Sequence, residues 1–132
     1  MPNIQAEIDL IINRIIARLG LQPHPEGGFY KEIFKSDMTV TVDEKVYGTN
    51  KKSAGTSIYY LLKRNEFSAW HKIKSDEVWN YHSGSSITLH MIHSETGNYS
   101  QAIIGDIAID ETVKPQFTVK ANTWFAASVN DK

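Results

Sequence analysis

The chain has 132 residues, 41% hydrophobic and 22% charged, the make-up of a globular protein long enough to bury one core. A formal net charge of −1 supplies no basic field for nucleic acid or anionic lipid, so neither is expected as a partner. With no cysteine, the chain has neither a disulfide framework nor thiolate chemistry, in keeping with a reducing compartment.

The N-terminal segment MPNIQAEIDLIINRIIARLG carries Ile4, Ile8, Ile11, Ile12, Ile15, Ile16 and Leu19 at helical spacing. That stripe predicts an amphipathic helix over 1–20, with Asn3 as its cap and Gly20 as its stop. Its expected role is to cover one side of a sheet, with partner binding as the lesser alternative. Glu7, Asp9, Arg14 and Arg18 interrupt any signal-peptide core. No stretch reaches the roughly 20 apolar residues of a membrane span. The expectation is a cytoplasmic protein with no membrane partner.

After Gly20 the pattern changes. QPHPEGG (22–28) is turn chemistry, because two prolines and two glycines cannot continue a helix. Short β-rich runs follow at 29–34, 38–42, 56–62, 67–73, 77–83, 86–92, 99–105, 116–120 and 123–129. They are separated by polar turns, with residues 43–56 expected as a mobile loop and no second helix signal. Close-spaced strands of this kind predict an antiparallel sandwich or barrel in a single domain, 1–132.

The stretch AWHKIKSDEVWNYHSG (69–84) concentrates the reactive chemistry. Alternation puts Phe67, Ala69, His71 and Ile73 on one face of the first strand, and Glu77, Trp79, Tyr81 and Ser83 on one face of the second. If the KSD turn closes a hairpin, His71 and Glu77 converge beside Trp79 and Tyr81. A histidine and a carboxylate on an aromatic-lined face suit ligand binding, acid–base work, or part of a metal site.

These residues resemble the cupin superfamily. Glu77, six intervening residues and Gly84 match the end of the first cupin motif, with His71 at its first histidine position and Ile73 at the second. Lys120-Ala121-Asn122-Thr123-Trp124-Phe125 matches the second motif, with Phe125 where a histidine ligand stands. PHPEGGFY, TSIYYLL, HKIKSDEVWNYHSG, the LH pair at 89–90, IIGD, PQFTVKANTW and the AA pair at 126–127 resemble the cupin family called domain of unknown function 985. The resemblance spans about residues 18–128.

It implies an all-β double-stranded β-helix, or jelly roll, over 21–132 with an N-terminal α-helix. It also implies kinship with sugar-nucleotide epimerases and assembly as a homodimer. The family's glycine turn reads Lys120-Ala121-Asn122 here, and asparagine tolerates the left-handed conformation. Related chains continue past Val129, whereas this one ends at Asn-Asp-Lys, which is expected to leave the jelly roll short of its terminal strand.

The expected catalytic residues are His71, Glu77 and Tyr81, and the expected ligand-binding residues Trp79, Phe125, Tyr59 and Glu26. Glu26 also has a turn-capping reading, His24 reads as a loop residue, and Tyr59 and Tyr81 have the alternative of core tyrosines. No cofactor is expected, with a divalent metal at His71 and Glu77 as the minor alternative. Three functional readings stay open. One is a binder of a small carbohydrate-like or other polar metabolite, or a metal-independent isomerase or epimerase acting on it. The second is a metal-dependent enzyme with an atypical His/Glu ligand set, and the third a degenerate fragment without catalysis. Trp70 and Trp124, on the opposite strand parity from His71 and Phe125, are the expected homodimer surface, unless the helix covers them.

Overall fold

The structure is a computed structural model that describes residues 3–130. Asp131 and Lys132, which belong to the expectation of a missing terminal strand, lie outside the described residues. In chain order the elements are α1 (Ile4–Leu19), β1 (Gln22–Pro23), β2 (Phe29–Lys35), β3 (Thr39–Thr41), α2 (Glu44–Tyr47), β4 (Lys51–Ser53), β5 (Thr56–Leu61), β6 (Phe67–Lys72), β7 (Glu77–Asn80), β8 (Ile87–Ile92), β9 (Tyr99–Ile104), β10 (Gln116–Val119) and β11 (Trp124–Val129). Every strand ladder is antiparallel, as in a jelly-roll β fold. Among the described residues one isolated bridge, Ile104 to Lys114, is parallel.

The chain forms two compact units, the first ending at Lys63 and the second beginning at Arg64. In the first, Asn3 caps α1 by accepting from the Ala6 N–H at 3.3 Å. Gly20 ends the helix in the left-handed conformation, φ 66°, which a Cβ would disfavour. No residue of α1 is buried. Ile4, Ile8, Leu10, Ile11 and Ile15 are exposed, and only Ile12, Ile16 and Leu19 of the stripe are partly covered. Most of the stripe is thus left exposed, and the covering role expected for this helix is not seen.

The sheet of this unit runs β1-β2-β5, and β3 pairs with β4. The segment 43–56, expected as a loop, holds α2 and β4. Asp43 accepts from the Lys45 N–H at 2.9 Å to start the turn, and Gly48 ends it at φ 72°. Both capping residues are visible in the sequence, but four residues are too few to carry a helical period.

The second unit has a four-stranded sheet, β6-β11-β8-β9, and a two-stranded sheet, β10-β7. Its core is Leu89, Met91, Ala102, Ile104, Val113, Val119, Phe125, Ala126 and Ala127. The register explains why: Phe125 lies opposite Met91 and Ala127 opposite Leu89, so these side chains share the inner face of the sheet. Among the described residues the expected 67–83 hairpin does not form. β6 pairs with β11 and β7 with β10.

Candidate functional site

His71 sits near the end of β6, opposite Phe125 on β11. The rings pack at 4.2 Å between centroids, tilted by 51°. Phe125 is 0% exposed, so it backs His71 from within the core instead of offering an open wall to a ligand. Nδ1 of His71 lies 2.7 Å from the Ala69 carbonyl. A carbonyl only accepts, so Nδ1 carries the proton and Nε2 is the basic nitrogen.

A β-bulge makes that contact. Phe125 pairs with His71 and Ala127 with Ser68, two residues on β11 against three on β6. The extra residue near Ala69 and Trp70 breaks strict alternation. Ser68 is consequently buried and Phe67 exposed, the reverse of the two-residue period that groups Phe67 with His71. The bulge turns the Ala69 carbonyl toward the imidazole, a second-residue contact that composition and period do not reveal.

On β7 the expected alternation holds. Glu77, Trp79 and the following Tyr81 are partly buried, while Val78, Asn80 and His82 are exposed. Glu77 pairs with Val119 and Trp79 with Phe117. The indole nitrogen of Trp79 is buried. Tyr81 donates its hydroxyl to the Gly84 carbonyl at 2.6 Å, so its proton is committed to the local turn.

What relates His71 to Glu77 is the 120–123 turn between β10 and β11. One side of it holds Val119 opposite Glu77, the other Phe125 opposite His71. Asn122 adopts φ 63°, donates its N–H to the Ile73 carbonyl at 2.8 Å, and accepts from the Ser94 hydroxyl through its own carbonyl. Asp76 accepts from the Ala121 N–H at 2.8 Å and from Lys120 Nζ at 2.9 Å. The Ala121 N–H first, and then Lys120, hold the Asp76 carboxyl below the usual aspartate range.

Tyr59 and Glu26 belong to the first unit. Tyr59 is on β5 opposite Lys31 and is exposed, and Glu26 lies in the turn after β1. A cleft of about 280 Å³ in that unit is lined by Asp9, Ile12, Asn13 and Lys63, none of them an expected site residue. Among the described residues no three His, Cys, Asp or Glu side chains gather as a metal-binding group. No described helix is long and apolar enough to cross a membrane.

The outer face of the four-stranded sheet has a different character. Phe67, Trp70, Tyr99 and Trp124 are 62%, 46%, 56% and 42% exposed. Trp124 pairs with Ile92, which pairs with Tyr99, placing those three on one row, and Ser128 pairs with Phe67. Between them His90 contacts the Tyr99 hydroxyl through Nδ1 at 2.7 Å and Ser128 Oγ through Nε2 at 2.9 Å.

A family model described as Cupin superfamily (DUF985) matches residues 13–132. A hypothetical protein from Leishmania major has a similar solved structure, with TM-score 0.77 and 32% identity over 89% of this chain and 69% of that one. A crystal structure of a Shewanella oneidensis protein is similar at TM-score 0.75 and 33% identity, covering 91% of this chain and 70% of its own. Among curated proteins nothing matches.

Proposed function

The chain belongs to the DUF985 family of the cupin superfamily, and from that premise we propose that its second unit binds a small carbohydrate-like or other polar metabolite at His71, Glu77 and Trp79. The observation that carries the reading is the fixed tautomer of His71. With Nδ1–H given to the Ala69 carbonyl and the ring set against Phe125, Nε2 is held as a hydrogen-bond acceptor at no further ordering cost. Such a nitrogen accepts a ligand hydroxyl, and in the enzymatic form of the reading it takes a proton and returns it to the same ligand, as an isomerase or epimerase requires. Glu77 supplies the anionic partner and Trp79 the apolar surface for a sugar ring. The substrate class rests on likeness of fold.

The donor set supports a reading without a metal. Cupin metal sites draw on histidines at the positions held here by Ile73 and Phe125. Phenylalanine packs its hydrocarbon on the imidazole where a ligand nitrogen would stand. His71 and Glu77 alone do not make a tight divalent site. Metal analysis of untagged protein is expected to find well under one equivalent, with an unchanged thermal transition after chelation. Stoichiometric metal whose removal unfolds the protein would favour the metal-dependent alternative. Native mass spectrometry tests the binding reading. A co-purifying metabolite that His71→Ala and Glu77→Gln both release supports it, and retention by both variants counts against the site.

A further inference from the structure

We propose that His24 and Glu26 form an acid–base dyad in the first unit, in which Nε2 of His24 exchanges a proton with a neutral, hydroxyl-bearing ligand. His24 directly follows β1, and its ring meets Tyr30 edge-on at 4.8 Å and Tyr60 at 5.2 Å. Those tyrosines lie directly opposite each other on β2 and β5. The turn around the ring is rigid. His24 N–H donates to the Gly28 carbonyl at 2.8 Å, Gly27 N–H donates to the His24 carbonyl at 3.0 Å, and the Tyr60 hydroxyl donates to the Gly27 carbonyl. Gly28 sits at φ 76°, where a Cβ would come within 2.6 Å of the Leu61 carbonyl, so no other residue fits there without displacing the strand.

The chemistry lies at Nδ1. It is 3.0 Å from the Glu26 carboxylate, an acceptor, and 3.0 Å from the Glu26 backbone N–H, a donor. One nitrogen cannot serve both at once. When protonated, Nδ1 donates to the carboxylate and Nε2 is free to act as a base. When unprotonated, Nδ1 accepts from the backbone N–H and Nε2 carries the proton. Only the first form does the chemistry: Nε2 takes a proton to give the imidazolium, Nδ1–H stays on the Glu26 carboxylate throughout, and the imidazolium returns the proton from Nε2, whereas the second form is a turn cap with no basic nitrogen to offer. The charge-assisted bond to the carboxylate is the stronger, so the base form prevails while Glu26 is ionised. In that form the dyad carries one negative charge, which disfavours anionic ligands and admits neutral ones. The side chains of the pair are 22% and 34% exposed.

Two measurements on the full chain test this. Long-range ¹H–¹⁵N spectra are expected to show His24 protonated at Nδ1 in the wild type and shifted toward Nε2–H in Glu26→Gln. An Nε2–H wild type would overturn the proposal, because His24 is then only a turn cap. Alkylation mapped by peptide mass spectrometry reads the base directly: Nε2 displaces iodide and forms the N–C bond. Neutral iodoacetamide is expected to modify His24 about tenfold faster than anionic iodoacetate, and Glu26→Gln to slow the reaction and collapse that ratio. A ratio unmoved by Glu26→Gln, or a His24 left unmodified while exposed His93 reacts, would also overturn it. If Glu26→Gln does not fold, the wild-type tautomer decides alone.

Discussion

The imidazole of His71 rests on the ring of Phe125, 4.2 Å between centroids, while its Nδ1 is tied to the Ala69 carbonyl two residues away. One contact is made by the core and the other by the bulge, so stability and site geometry meet in Phe125. Because Phe125 is fully buried, Phe125→Ala is expected to cost about 3–5 kcal/mol, measured by urea unfolding. A loss below about 1 kcal/mol would show the position to be loosely packed. In a variant mild enough to fold, such as Phe125→Leu, the His71 ring loses an aromatic neighbour, and its ¹⁵N signals are expected to show greater tautomer averaging.

The strands and the helix caps were legible because each rests on local chemistry. All nine β-rich runs contain a strand, and Asn3, Gly20 and Asn122 do at their turns what their side chains permit. The hairpin of 67–83 was not legible, because ladder partners are set by distant segments. Three turn residues between two strand-like runs are compatible with pairing but do not compel it. Asp76, read as part of a hairpin turn, instead grips Ala121 and Lys120 across the fold. Strand parity failed upstream of His71 for a different reason: one extra residue in β6 reverses the facing of everything before it.

Asp76 gives the fold an acid-sensitive contact. Its folded pKa lies below the ordinary value of about 3.9, chiefly through the Ala121 N–H and then Lys120. A depressed carboxylate contributes stability that is present above the unfolded pKa and lost as pH falls through the folded one. Asp76→Asn is thus expected to be less stable than wild type at neutral pH, with the gap closing below about pH 4. Urea midpoints at several pH values check this. A gap that persists undiminished to about pH 2 would mean the carboxylate charge is not what holds the turn.

Asn122 stands at φ 63° in the turn that joins the two ladders of the candidate site. A β-branched residue there meets the left-handed penalty in full, so Asn122→Val is expected to destabilise the protein by about 1–2 kcal/mol. Asn122→Gly keeps the conformation open and is expected to stay within about 1 kcal/mol of wild type. Equal thermal midpoints for Asn122→Val and wild type would show that the turn readily adopts another conformation.

The outer face of β6-β11-β8-β9 bears on assembly. Phe67, Trp70, Tyr99 and Trp124 all remain exposed there, while the opposite face of the same sheet supplies the core. Scattered apolar residues on a surface need no explanation, but four aromatics on one sheet face do. Their charged and titratable neighbours on that face are few: Lys72, whose Nζ lies 5.4 Å from the Trp124 ring centre, and His90, bonded to Tyr99 and Ser128. Aromatic side chains interleaved with partnered polar groups suit a two-fold contact between copies of the chain, in which each face meets itself. A stable pairing of this kind buries about 800 Å² on each partner, within reach of a four-stranded sheet face. The protein is therefore expected to scatter light as a homodimer at micromolar concentration, and a Phe67→Ser, Trp70→Ser double variant to scatter as a folded monomer. If the wild type is monomeric across dilution, or the double variant remains dimeric, the aromatic face is not what pairs the chains.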